Sequence, residues 1–126
     1  MSRETIHTGS APAAIGPYSQ GTALGDLVFT AGQIPLHPDT GRIVDGDVVA
    51  QAARVVENLS AVLREAGSGL ERVLRLDVYL TDLSGFPAVN EYLSGIFPKD
   101  PPARVTVEVS GLPMGALIEM AAIASR

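Results

Sequence analysis

Residues 101–124 read P-P-A-R-V-T-V-E-V-S-G-L-P-M-G-A-L-I-E-M-A-A-I-A. The first part of this segment alternates apolar and polar residues from position 103 to position 109, which is the period of a β-strand with one buried face. The second part is apolar from position 116 onward except at Glu119. The segment therefore predicts two strands joined by a short loop, with a single carboxylate in the second strand.

The two strands are expected to pair as an antiparallel hairpin around a loop at residues 110–115. In that register Val109 lies opposite Ala116, and Thr106 lies opposite Glu119. Arg104, one pair further along, then joins Thr106 and Glu119 on one side of the hairpin. A carboxylate in so apolar a strand is costly to bury unless it is paired or functional, so Glu119 is a candidate site residue.

The N-terminal part of the chain predicts strands and loops. A short strand at residues 5–7 is followed by a loop that is rich in proline and glycine and ends at Tyr18. Residues 20–24 and 27–32 flank Gly25 and Asp26, which are expected to form a hairpin turn. Residues 34–46 contain two prolines and two glycines and are expected to form a loop.

Two helices and one further strand are expected in the remainder. Asp47 is a good N-cap for a long amphipathic helix that Gly67 ends, and a shorter helix begins near Leu83 and stops before Pro98. Residues 72–81 alternate as a strand between the two helices. One side of that strand is predicted to carry Leu74, Leu76, Val78 and Leu80, and the other Val73, Arg75, Asp77 and Tyr79.

The element order βββ-α-β-α-ββ predicts an α+β fold in a single domain that spans residues 1–126. Its mixed sheet of five or six strands would have both helices packed on one face. Several strands offer apolar side chains on both faces, so the uncovered face needs a partner. A homo-oligomer is therefore expected.

Composition excludes several classes of function. The 126 residues contain no cysteine and only two histidines, His7 and His37, which are expected at the surface, so neither a disulfide nor a metal site is expected. The net charge of −5 and a pI near 4.8 argue against nucleic-acid binding, which needs clustered basic residues. The N-terminus lacks the apolar core of a signal peptide, and no segment is apolar enough to span a membrane, so a soluble cytoplasmic protein is expected.

Five short motifs, spread in order over most of the chain, resemble the RidA family of reactive-intermediate (enamine/imine) deaminases. They are A-P-A-A-I-G-P-Y-S-Q at residues 11–20, A-G-Q-I-P at 31–35, V-N-E-Y at 89–92, P-A-R at 102–104, and G-L-P with I-E-M-A-A-I-A at 111–124. Each motif alone is weakly specific, but their shared order and spacing is specific.

The resemblance implies a homotrimer of chorismate-mutase-like subunits, with an active site in each cleft between neighbours. Such proteins hydrolyse 2-enamine and 2-imine acids to 2-oxo acids and ammonia without a cofactor. By position, Arg104 would hold the substrate carboxylate and Glu119 would orient the attacking water, with help from the backbone at Thr106. Tyr18, Gly32 and Asn90 would line the same cleft, some of them from the adjacent subunit.

Two positions depart from the family pattern. The family often has Ser before the Gly of the G-Q-I-P motif, where this chain has Ala31, and often has Cys two residues after the Arg, where this chain has Thr106. Neither change removes a charge, so activity is still expected. The departures put in doubt a side-chain hydroxyl role at position 31 and any thiol chemistry.

The proposed site residues also have purely structural interpretations. Arg104 and Glu119 can form a salt bridge across the hairpin or a trimer contact, and Glu108 can compete for the Arg104 guanidinium. Tyr18 can be a core or interface residue, Asn90 a helix-surface residue, and Gly32 a site of tight backbone packing. Arg75 and Asp77 are expected to pair with each other in solvent or between subunits.

Three functions compete for this sequence. The first is a deaminase of small 2-imino acids, in which an arginine fork anchors the carboxylate and a carboxylate of raised pKa positions water. The second is a non-catalytic regulatory module that binds 2-oxo acids or amino acids through the same arginine. The third, ribonuclease, is opposed by the acidic balance and by the lack of paired catalytic histidines.

Overall fold

The computed structural model describes residues 1–126. Eight main elements follow one another along the chain, together with three short 3₁₀ turns at Leu70–Arg72, Leu83–Gly85 and Pro113–Gly115. The strands and helices are β1 (Glu4–Ile6), β2 (Gly21–Leu24), β3 (Leu27–Thr30), α1 (Val48–Glu65), β4 (Val73–Leu80), α2 (Phe86–Ile96), β5 (Ala103–Glu108) and β6 (Ile118–Ser125). This is the predicted order of strands and helices.

Helix α1 has the boundaries that its capping residues predict. The Asp47 carboxylate accepts a hydrogen bond from the backbone N–H of Ala50 at 2.9 Å, which satisfies one of the unpaired donors at the helix start. Gly67, just beyond the helix, has φ +82°, a conformation that favours glycine. The helix face toward the sheet carries small and branched apolar residues that are fully buried, among them Val55, Leu59 and Val62.

The predicted β2–β3 hairpin is confirmed, with Leu24 paired to Leu27 across the turn at Gly25 and Asp26. Gly25 adopts φ +58°, so the turn uses the left-handed conformation that glycine permits without strain. The predicted hairpin of β5 and β6 is wrong. The sheet order is β1-β2-β3-β6-β4-β5, so β4 lies between these two strands.

Strand β4 pairs in parallel with β5 and antiparallel with β6. Because β4 and β5 are joined through α2, they form a β-α-β unit, and such a crossover makes its two strands parallel. Glu119 therefore pairs with Tyr79 and not with Thr106, while Thr106 pairs with Val78. The central position suits β4, because its Leu76, Val78 and Leu80 are buried there, and burial of apolar side chains stabilises the fold.

A register shift near the start of β4 corrects the predicted sides of this strand. The pairing with β6 passes from Val73 to Arg75 with an irregularity between them. Such a bulge moves the residues on one side of it to the opposite face. Val73 is consequently buried, and Leu74 is 50% exposed, although the alternation placed Leu74 with the core.

Both helices cover one face of the sheet and leave the other open. The core between α1, α2 and the sheet contains inward residues of the central strands, including Val28, Val78, Ile118 and Met120. The open face exposes large apolar side chains at 39–42% of their surface: Leu27, Phe29, Val105 and Val107. Neither helix is long and apolar enough to cross a membrane.

Candidate active site

Arg104 lies on the edge strand β5 and points to the side of the sheet that α2 covers. Its Nη2 donates a 2.6 Å hydrogen bond to Oδ1 of Asn90, and its guanidinium carbon lies 5.5 Å from the centre of the Phe86 ring. No carboxylate forms a salt bridge with this guanidinium in the chain. Two contacts from α2 thus hold the arginine in place and leave its charge uncompensated.

A pocket of about 370 Å³ surrounds this arginine, and we call it the arginine pocket. Its walls combine apolar side chains with the one charged group. The lining residues are Leu76, Asn90, Leu93, Ser94, Phe97, Pro101, Pro102 and Arg104.

Glu119 lies in β6 on the opposite face of the sheet. It lines a smaller pocket of about 70 Å³, which we call the glutamate pocket. Pro12, Ala13, Ile15, Tyr18, Gln20, Gly32, Gln33, Ile34, Leu36, Pro113 and Glu119 form this pocket. Of the predicted site residues, Tyr18 and Gly32 therefore meet Glu119, whereas Asn90 meets Arg104. Thr106 lines neither pocket.

A backbone bridge places Gly32 beside Glu119. Gln33 and Met120 form an antiparallel bridge with two backbone hydrogen bonds of 2.8 and 3.1 Å, which brings the segment containing Gly32 alongside β6. A Cβ atom at Gly32 would lie 2.6 Å from Oε2 of Glu119, closer than real contacts allow. Glycine at this position therefore lets the carboxylate rest against the backbone of the neighbouring segment.

The Glu119 carboxylate has no hydrogen-bond or ion-pair partner within the chain. Partial burial raises the pKa of this carboxyl above its ordinary value of 4.5, because a desolvated carboxylate is less stable than its neutral form. A carboxyl group with a raised pKa is better matched to acid–base work near neutral pH than an exposed one.

The tyrosine of the glutamate pocket is held by its own loop. The Tyr18 hydroxyl accepts a 3.3 Å hydrogen bond from the backbone N–H of Ile15, and the backbone N–H of Tyr18 donates to the Gly16 carbonyl at 2.8 Å. The side chain is 49% exposed. Tyr18 is thus available at the mouth of the pocket and is not a core residue.

The two pockets lie on opposite faces of the same sheet. Arg104 pairs with Leu76, which pairs with Ala122, and both of these neighbours are buried beneath the helices. Glu119 pairs with Tyr79, which pairs with Val107 on the open face. The expectation that Arg104, Thr106 and Glu119 share one side is therefore wrong, because the insertion of β4 changes both the neighbours and the facing of the two strands.

Contacts within the chain bear on several of the structural alternatives. Glu108 does not compete for Arg104, because its Oε1 accepts a 2.9 Å hydrogen bond from the backbone N–H of Leu83. Arg75 and Asp77 pair with each other at 2.8 Å, and no bond joins Arg104 to Glu119. No group of three or more His, Cys, Asp or Glu side chains is placed to hold a metal ion.

Comparison with known proteins assigns the family. The family model for Endoribonuclease L-PSP matches residues 8–126. A RutC family protein of Pyrococcus abyssi is 52% identical over 124 residues, which are 98% of this chain and 98% of that protein. Protein DfrA of Myxococcus xanthus is 52% identical over 126 residues, covering 98% of this chain and 96% of that protein.

The chain belongs to the RidA/RutC family. Solved RidA-family structures have the same fold. RidA from the Antarctic bacterium Psychrobacter sp. matches with a TM-score of 0.94 and 39% identity, over 98% of this chain and 99% of that chain. E. coli TdcF with bound serine matches with a TM-score of 0.92 and 41% identity, over 98% of each chain. The predicted family, the α+β class and the mixed sheet with two helices on one face are confirmed.

Some residues that shape the two RidA-family pockets do not stand out in the sequence. Phe86, beneath the arginine, fits the pattern of an ordinary apolar helix residue. Two amides, Gln51 and Asn58, occupy buried positions on the apolar stripe of α1. Asn58 donates to the carbonyls of Ile34 and Leu36 at 3.3 and 3.0 Å, which holds one wall of the glutamate pocket. The signal that the sequence offers for such residues is a polar side chain at a position on the apolar stripe of a helix.

Proposed function

We propose that this chain hydrolyses 2-imino acids to 2-oxo acids and ammonia, in homotrimers whose sites combine the arginine pocket of one protomer with the glutamate pocket of its neighbour. One observation carries the proposal. Each pocket contains a single charged side chain, Arg104 in one and Glu119 in the other, and neither has an ion-pair partner within the chain. Uncompensated charges that line pockets are typical of functional sites.

The arginine suits the carboxylate of the substrate. A guanidinium presents a planar fork that binds a carboxylate through two charge-assisted hydrogen bonds. In this chain the contacts from Asn90 and Phe86 restrict the orientation of Arg104 before any ligand binds. Preorganisation of this kind lowers the entropic cost of binding and orients the C=N bond of the substrate.

The glutamate suits the water. Glu119 would accept a proton from water as the water oxygen attacks the imine carbon, and the imine nitrogen would take up a proton from solvent, giving a tetrahedral amino alcohol. Transfer of the Glu119 proton to the amine nitrogen, cleavage of the C–N bond and loss of the hydroxyl proton to solvent would release ammonia and leave the 2-oxo acid. One water is consumed, and no electrons are transferred to an outside acceptor, so the reaction needs no redox cofactor.

The placement of the pockets supports assembly from separate protomers. Within one protomer the sheet separates Arg104 from Glu119, so a single chain offers each group to a different side. The open face exposes Phe29, Val105 and Val107, and β5 is an edge strand. An exposed apolar sheet face of this kind is typical of an association surface. A neighbour docked against it can bring the two pockets together.

A mixed-trimer experiment tests this arrangement. Arg104→Ala and Glu119→Gln are each expected to abolish most ammonia release from freshly generated 2-iminopropionate. Trimers refolded from an equal mixture should regain about one quarter of the wild-type activity, because each site draws its arginine and its glutamate from different protomers, of which half carry each intact group. The same two variants assayed together without refolding serve as the control. Full activity in either single variant would refute the proposed roles, and no recovery in mixed trimers would refute the shared site.

A binding module is the second candidate function. It is favoured by the E. coli TdcF relative, whose structure contains bound serine, an amino acid with the carboxylate that Arg104 would recognise. Calorimetry with a 2-oxo acid separates the two. Tight binding that depends on Arg104, without hydrolysis across a panel of imines generated from amino acids, would support the module.

The pockets do not favour the ribonuclease activity named in the family description. The chain has a net charge of −5, and the two pockets together contain one basic residue. Neither His7 nor His37 lines either pocket. RNA binding depends on clustered basic residues, which are lacking at these positions.

A further inference from the structure

The side chain of Gln20 is buried, with 2% of its surface exposed, and both of its polar atoms are bonded. Its Oε1 accepts from the backbone N–H of Thr8 at 2.7 Å, and its Nε2 donates to the carbonyl of Thr8 at 3.0 Å. The same nitrogen donates to the carbonyls of Ala11 and Pro12 at 3.3 and 2.8 Å. One carboxamide thus ties down the start of the loop at residues 8–20.

This tether determines where the loop can place Tyr18. The start of the loop is bound to Gln20, and Gln20 itself leads into β2. The hydrogen bonds of Gln20 therefore hold the two ends of the segment at residues 13–19 close together. Pro12, Ile15 and Tyr18 of this loop line the glutamate pocket. The position of one wall of the pocket therefore depends on the four hydrogen bonds of a single side chain.

The backbone of Gln20 supports the opposite wall. Its carbonyl accepts a 2.8 Å hydrogen bond from the N–H of Ala31, the residue before Gly32. Gly32 in turn lies against the Glu119 carboxylate. Gln20 is consequently the residue at which the loop at residues 8–20 meets the segment that contains Ala31 and Gly32.

We propose that Gln20 is a positioning residue for Glu119: its carboxamide holds the loop that narrows the glutamate pocket, and so it determines the solvation and placement of the carboxylate. The proposal rests on the proposed function for its catalytic consequence, but the structural part stands apart from it. Tyr18 and Glu119 are the only titratable groups lining this pocket. Tyr79, on the strand next to β6, is paired directly with Glu119 across the sheet.

The test compares Gln20→Met, which keeps the size of the side chain and loses all four hydrogen bonds, with wild type. The loop at residues 8–20 should then move and admit water to Glu119. The expected result is a kcat lower by about 10- to 100-fold, the loss typical of a misplaced catalytic group, with KM changed less than about twofold because the arginine pocket is intact. The acid limb of the pH–rate profile should move toward the ordinary pKa of a glutamate.

Two further variants keep the test interpretable. Gln20→Asn keeps a neutral carboxamide but shortens the side chain by one methylene, so it is the second variant if Gln20→Met folds poorly, and its kcat should also be lower than that of wild type. Arg126→Met is the control for general destabilisation. Arg126 ties Gly25 and Glu4 to the far end of β6 and touches neither pocket. It should lower thermal stability without moving the pH–rate profile.

Titration of the Glu119 carboxyl by ¹³C NMR separates this proposal from the proposed function. If wild type hydrolyses no imine, the proposed function fails, and a lower Glu119 pKa in Gln20→Met still supports the positioning role. An unchanged Glu119 pKa and pH profile, or a kcat within twofold of wild type, would overturn that role.

Discussion

The arginine pocket and the glutamate pocket are built in different ways. The arginine pocket is wide, about 370 Å³, and its charged group is held by two contacts from the adjacent helix. The glutamate pocket is narrow, about 70 Å³, and its walls are held by buried amides while the carboxylate itself has no partner. A wide pocket with a preorganised cation suits binding, and a narrow one with a desolvated carboxylate suits the placement of a water molecule.

Among the variants of the two pockets, Glu119→Gln is expected to have the largest effect on catalysis. We expect kcat for 2-iminopropionate to fall by about 10²- to 10³-fold, within the range that general acid–base catalysis supplies, with little change in KM. Steady-state ammonia release measures both constants. Glu65→Gln, an exposed change at the end of α1, is the matched control and should be neutral. A KM increase larger than the kcat loss would show that the glutamate pocket serves binding.

The same variant should not lose stability. A carboxyl whose pKa is raised by folding contributes stability below its unfolded pKa and loses that contribution as the pH rises through its folded pKa. At pH 7 the charged Glu119 therefore disfavours the folded state, and Glu119→Gln should have a Tm at least equal to that of wild type. The difference should shrink below pH 4.5, where the carboxyl becomes protonated in both states. Thermal scans at the two pH values check this; a clear loss of Tm at pH 7 would contradict it.

Arg104→Lys addresses the other pocket and is expected to have the next largest effect. Lysine keeps the charge but loses the planar fork and its stacking on Phe86. KM should rise about 10- to 100-fold while kcat changes only a few fold, because the loss of one charge-assisted hydrogen bond is of that size. Arg72→Lys, on an exposed turn, is the control. An unchanged KM would mean that Arg104 does not anchor the substrate.

The smallest expected effect is that of Gly32→Ala. The new methyl group would push the Glu119 carboxylate aside, since it would stand only 2.6 Å from Oε2, and kcat should fall about tenfold. The backbone at Gly32 has no positive φ, so the fold should be retained. Gly95→Ala in α2, where a methyl group meets nothing within 4 Å, is the control and should be neutral or slightly stabilising. Equal kcat losses in both variants would refute the steric explanation.

Much of the fold is predictable from local patterns. The cap at Asp47, the stop at Gly67, the turn at Gly25 and the break at Pro98 involve residues close together in the chain, and the elements that they delimit are all present. Membership of the RidA family is likewise predictable from short motifs. In these cases the chemistry of a few neighbouring residues is sufficient, because helix caps and tight turns are local structures.

The pairing of strands and the division of the site are not local. The loop at residues 110–115 is short enough for a hairpin, yet β4 enters between β5 and β6 from far along the chain. That insertion places Arg104 and Glu119 on opposite faces of the sheet. The bulge between Val73 and Arg75 buries Val73 and exposes Leu74. Residue types and motifs were enough to single out the arginine and the glutamate as candidates and to suggest a chemistry for each. Which groups meet in space depended on the burial of the most apolar strands at the centre of the sheet, a long-range energy that no short segment contains.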